Sequence, residues 1–196
     1  MEEKILQTAV EIQKQAHEVI KELRIVESWE SIGAKVNLVG SLRTGLLIKN
    51  RDIDFHVYTD NFSIEESFKA IGKIASNPRT KRISYTNLVD TEEKCLEWHL
   101  WYDDKNGDEW QIDIIHILND SKYAGRFEMV ADRIAAVLTP ETRFAILSIK
   151  YAIPGIKTIM GIEVYQAVIR DGIRNYDDFV IWRKNNEQSG IIEWMP

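Results

Sequence analysis

Two aspartates one residue apart inside an apolar run constrain this chain more than any other feature. They lie in the stretch VGSLRTGLLIKNRDIDFHV, Val39 to Val57. On an extended strand, alternate side chains point to the same face. Asp52, Asp54 and His56 therefore share one face, while Ile53, Phe55 and Val57 share the other, apolar one. The carboxylates must look into a cleft or into solvent. Two carboxylates side by side repel each other unless a cation or a proton sits between them. The alternation taken alone also describes a strand whose outer face is merely wet.

A third acid adds weight. The run Trp110 to Leu118, WQIDIIHIL, is nearly all apolar and is broken by Asp113, with Ile112 and Ile114 on the opposite face. A lone carboxylate in such a strand is costly unless it is paired or bound to a metal. An ion pair with a nearby Lys or Arg would satisfy it as well. If this strand neighbours the one bearing Asp52 and Asp54, the three carboxylates form a cluster suited to a hard, oxygen-preferring cation such as Mg²⁺. Two such ions can activate an attacking hydroxyl and steady a leaving phosphate.

The segment before the aspartates then acquires a role. An apolar strand ends at Gly40, followed by Ser41, three residues and Gly45. Such a turn exposes backbone N–H groups and a hydroxyl to an anion. Arg43 and Thr44 lie inside it and add possible donors.

The rest of the chain supplies a scaffold. The recurrence of Ile5, Ala9, Ile12, Ala16, Val19 and Leu23 predicts one amphipathic helix over residues 2–29. Strands are expected at 34–40, 52–58, 81–89, 95–104 and 108–117. A helix is expected at 63–76, opened by Ser63 with Glu66 three residues later. Asn106-Gly107 signals a tight hairpin. With these two at the centre of the turn, Asp113 faces Leu100 and Gln111 faces Tyr102. Trp98, Leu100 and Tyr102 then share the aspartate face, where Trp98 or Tyr102 could stack on a ring, and His99 and Trp101 turn to the core. From residue 122 onward the pattern is helical, with helices at 123–138, 141–152, 158–171 and 175–184. The organisation read from this is a strand-bearing domain over residues 1–119 and a helical C-terminal lobe over 120–196. Lys150, a lone base on an apolar helix, is the phosphate candidate of that lobe. His56 is a possible donor behind the aspartates, and His116 has the parity of a core residue.

Composition narrows the function. The formal charge is −6, and 44% hydrophobic with 29% charged residues is the balance of a globular protein in water. The acidic balance gives no strong signal for nucleic acid. No run is long enough to span a membrane, and no leader is expected in the acidic start. A single cysteine, Cys95, suits a reducing compartment, so a cytoplasmic location is expected.

The ordered set Val39-Gly40-Ser41, Asp52-Ile53-Asp54-Phe55 and Ile112-Asp113-Ile114 resembles the DNA polymerase β-like nucleotidyltransferase superfamily. The resemblance covers roughly residues 34–117. It implies an α+β fold, a mixed β-sheet flanked by helices, with the helical lobe following. It also implies transfer of a nucleoside monophosphate from an NTP, with ATP the first choice, to a hydroxyl acceptor, releasing pyrophosphate. Asp52, Asp54 and Asp113 would be catalytic and would hold two Mg²⁺ ions, Asp113 also helping to deprotonate the acceptor. Gly40 and Ser41 would bind the nucleotide. The compact size resembles antibiotic nucleotidyltransferases, so the acceptor is expected to be a small molecule or a protein. The alternative is a non-catalytic nucleotide-binding or toxin–antitoxin-type partner that keeps the fold.

Overall fold

The computed structural model describes residues 1–155, 159–186, 190 and 192–196. The N-terminal stripe forms α1 (Glu2–Glu22), burying Ile5, Ala9, Ile12, Ala16 and Val19. The helix expected to reach residue 29 instead breaks at Arg24, whose φ of 51° is left-handed, and resumes as α2 (Ile25–Glu30). The break lets Ile25 and Trp29 turn into the core, where neither is exposed.

Five strands follow: β1 (Lys35–Val39), β2 (Asp52–Tyr58), β3 (Thr80–Asn87), β4 (Cys95–Asp103) and β5 (Glu109–Ile117). They form one mixed sheet in the order β1-β2-β5-β4-β3, with only β2 and β5 parallel. A short helix, α3 (Gly40–Arg43), interrupts the path from β1 to β2, and α4 (Ile64–Ala75) links β2 to β3. Ser63 caps α4 by accepting from the Glu66 N–H.

One face of the sheet is a dry core. Ile53, Phe55 and Val57 of β2 meet Ile112 and Ile114 of β5, covered by α1, α2 and α4. Truncating one such isoleucine to alanine costs roughly 2–5 kcal/mol. Trp98, Leu100 and Tyr102 also belong to this core, contrary to the expected hairpin register. Asp113 pairs with His99, and Gln111 with Trp101. The cause lies in the turn. The Asp104 carboxylate accepts from the N–H groups of Asn106 and Asp108, and the Asp104 N–H donates to the Asp108 carbonyl. Three residues thus form the loop, and only Gly107 takes a positive φ, 82°. One extra loop residue moves β4 by one position against β5, and this exchanges its two faces. Trp98 and Tyr102 therefore cannot stack on a ligand; His99 and Trp101 lie on the aspartate side.

The remaining helices are α5 (Arg126–Val137), α6 (Pro140–Ala152), α7 (Gly161–Ile169) and α8 (Tyr176–Asn185). Thr139 caps α6 with Pro140 at its first position. The start expected for α7 at Thr158 lies outside the described residues. A second core joins α6, α7 and α8 to Leu46, Ile48 and the first turns of α1, through Ile5 and Ala9. Helix α1 thus contributes to both cores and ties the strand-bearing part of the chain to the helical part. No described helix is long and apolar enough to cross a membrane.

Candidate active site

Gly40 opens the site. Its φ is +65°, and a Cβ placed there would fall on the Asp54 carboxylate. Only glycine lets α3 start this close to β2. The next residue, Ser41, is 8% exposed, and its hydroxyl is buried without a hydrogen-bond partner. The Thr44 hydroxyl turns back onto the carbonyls of Gly40 and Ser41, at 3.3 and 3.2 Å. Gly40, Ser41 and Thr44 line a cavity of about 570 Å³ between the sheet and the helices, together with Asp52, Asp54 and Asp113.

Register explains why the acids meet there. Asp54 sits between Val39 of β1 and Asp113 of β5, and Asp52 opposes Gln111. Burial, then the neighbouring Asp52 and Asp113 carboxylates, push the Asp54 carboxyl up to about 8. Burial also raises Asp52, against the pull of Lys150, and its Oδ1 is buried without a partner. Asp113 is held differently. Its Oδ1 lies 2.7 Å from His99 Nδ1, and the Gln111 amide donates to both of its oxygens at 2.9 and 3.1 Å. The three carboxylates share one face and one cavity. Asp113 is nevertheless drawn toward β4, and among the described residues no three acid, His or Cys side chains form a ready-made metal group.

The donor set still suits a hard divalent cation. It offers carboxylate oxygens, one of them unpartnered, around a buried carboxyl that is costly to ionise alone.

Lys150 reaches this cavity from α6. Its amine donates to the Leu46 carbonyl at 2.8 Å and sits 5.7 Å from the Tyr165 ring. Burial brings it down to about 8, while Asp52 and Asp54 oppose that fall. Arg43 is not among the cavity-lining residues. Its guanidinium is held by Asp132 of α5 and by the Leu38 carbonyl. His56 lines the cavity, with Nδ1 3.6 Å from a Glu128 oxygen and its ring edge-on to Phe127. His116 is in the opposite core, wholly buried, with Nε2 3.0 Å from the Thr59 hydroxyl.

His99, Gln111 and Tyr165 are the site residues that sequence reasoning missed. The correct hairpin register would have found His99. Gln111 carried a signal, since it shares the parity of Asp113. Tyr165 carried none, because its helix reads as ordinary core.

The nucleotidyltransferase domain family matches residues 18–115, half of the chain. No curated protein matches it. Several solved structures resemble it in fold. A cytoplasmic RNA terminal U-transferase is 17% identical with a TM-score of 0.54, covering 85% of this chain and 53% of that one. The Cid1 poly(U) polymerase bound to MgATP is 16% identical with a TM-score of 0.56, covering 86% and 55%. GLD-2 from the GLD-2/RNP-8 complex is 12% identical with a TM-score of 0.55, covering 96% and 74%. This chain thus spans about half the length of the first two.

Proposed function

The chain belongs to the nucleotidyltransferase domain family, and on that premise we propose that it transfers a nucleoside monophosphate from an NTP, ATP first, to a hydroxyl acceptor. The acceptor in this reading is a small molecule or a protein. The observation that carries the proposal is the placing of Asp54 beside Asp113 in register, with the unpartnered Ser41 hydroxyl in the same cavity.

Each residue has a task. Asp52 and Asp54 would hold the divalent cations, Mg²⁺ in this reading and two in number, and Asp113 would complete the set. When bound, Mg²⁺ neutralises phosphate charge and makes the acceptor hydroxyl easier to deprotonate. Gly40 gives the triphosphate close access to the chain, Ser41 donates its hydroxyl, and Lys150 supplies positive charge. Thr44 shapes the turn through its own hydroxyl. The Asp113 carboxylate takes the acceptor proton. The acceptor oxygen then bonds to the α-phosphorus, the bond to the bridging oxygen breaks, and pyrophosphate leaves. A free, buried Cys95 suits a cytoplasmic setting.

The fold likeness to RNA terminal U-transferases makes an RNA end the second reading. A charge of −6 works against it. A binding protein without turnover is disfavoured because all three aspartates are present. The test is pyrophosphate release from each NTP with pooled small hydroxyl compounds or short RNA. Release with an acceptor, lost in Asp54→Asn, supports transfer. NTP binding with no release from any pool would favour the non-catalytic alternative.

A further inference from the structure

The cavity is larger than the nucleotide machinery just described. From Asp113 it continues along β5 past Ile115 and Ile117, whose side chains follow on the same face. Phe127 and Val130 of α5 and Cys95 of β4 line the same cavity. The phosphate-side groups Ser41, Thr44 and Lys150 line it from other elements, α3, the residue that follows α3, and α6. The arm between β5 and α5 is therefore an apolar chamber that opens onto Asp113, the residue placed to receive the acceptor proton.

The chamber's charge is acidic. Glu93 and Glu97 line it, and neither has a Lys or Arg ion pair among the described residues. Arg126 lines the cavity too, its guanidinium donating to the Glu193 carbonyl at 2.7 Å, and Lys122, whose charge is felt by Glu93, is paired with Glu92. A polynucleotide would bring a phosphate with every residue toward these two glutamates. A neutral or cationic molecule would not be repelled, and its apolar body would displace water from Ile115, Ile117 and Phe127.

From this we infer that the chamber between β5 and α5 is the acceptor subsite, and that the acceptor is a small hydroxyl compound with an apolar body and no negative charge. The inference rests on the transfer reading, because it takes Asp113 as the place where the acceptor hydroxyl arrives.

The test uses phenylpropanol and its cationic counterpart phenylalaninol as probes. Each is titrated into the full chain with Mg²⁺ and a non-hydrolysable ATP analogue, followed by isoleucine-methyl NMR. Ile115 and Ile117 should shift, while Ile83 on β3 should not. Phenylalaninol should bind more tightly, and Glu93→Gln/Glu97→Gln should erase that difference. Ile117→Trp fills the chamber and should weaken both probes at least roughly tenfold, leaving affinity for the ATP analogue unchanged. Val130→Trp fills it from the opposite wall and serves if Ile117→Trp does not fold.

Several results would overturn the inference. One is probe binding that ignores the filled chamber. Another is displacement of the probes by the ATP analogue, which would make the chamber a nucleobase site. A third is an adenosine decanucleotide shifting the same methyls when the alcohols do not. If the wild type binds no Mg²⁺–nucleotide at all, the transfer reading itself fails, and the acceptor role falls with it even where the probes still bind.

Discussion

His99 Nδ1 lies 2.7 Å from Asp113 Oδ1, and this contact joins β4 to the carboxylate that the proposed reaction needs most. With Gln111 donating from two residues away, Asp113 is oriented by two neighbours before any ligand arrives. Loss of such an orienting partner typically costs about 10–100-fold in activity or metal affinity. His99→Ala is therefore expected to lower the transfer rate by that order while the affinity for NTP stays near the wild-type value. Steady-state kinetics beside direct nucleotide binding checks this, since a general loss of structure would lower both.

Gly40→Ala is expected to disable the site. The substitution puts a Cβ onto the Asp54 carboxylate and forces an alanine to a φ near +65°. The backbone alone costs about 1–2 kcal/mol, and the collision must move either α3 or Asp54. Gly72→Ala is the control, because nothing lies within 4 Å of a Cβ there. In the interior of α4 it should stabilise by roughly 0.5–1 kcal/mol. Thermal melts of both variants, with Mg²⁺–ATP binding measured alongside, separate the two effects.

Acid should weaken the fold through His116. Burial lowers its pKa from 6.5 to about 4, against the edge of Trp29 and the ring of Phe62. The unfolded chain takes up this proton near 6.5 while the folded chain refuses it. Stability is thus complete above about 6.5 and falls by about 1.4 kcal/mol per pH unit toward 4. Urea midpoints at successive pH values should show this slope, and His116→Gln should flatten it.

Cation binding should release protons. The Asp54 carboxyl, at about 8, is largely protonated at neutral pH in the metal-free chain. Its folded value lies above the ordinary 3.8, so its contribution to stability is complete below that value and is lost as pH rises through about 8. A divalent cation takes the ionised form, so its affinity should rise with pH up to about 8 and its stabilisation should be largest there. Calorimetry in two buffers of different ionisation enthalpy counts the protons released. Asp54→Asn should release fewer.

The layout of the acid-bearing strands could be read from local pattern. Asp52, Asp54 and Asp113 gave their faces away because each is polar in an apolar run, and a period of two leaves a strand little choice. The strand positions near Lys35, Asp52, Cys95 and Glu109 followed from the same period. What escaped depended on single backbone angles or distant partners. The left-handed Arg24 that splits the first helix has no local signature, since arginine is an ordinary helix residue. The hairpin shifted by one because Asp104, outside the Asn-Gly pair, closes the turn with its carboxylate. Arg43 left the cavity for Asp132, 89 residues away, a pairing no local pattern encodes.

The most direct test of the account is calorimetric ATP binding with and without Mg²⁺, for the wild type and for Asp52→Asn/Asp54→Asn. Tight binding is expected for the wild type only with Mg²⁺, and the double variant should lose the Mg²⁺-dependent part with its melting transition intact. Binding that ignores both the metal and the substitutions, or no binding of any NTP, would contradict it.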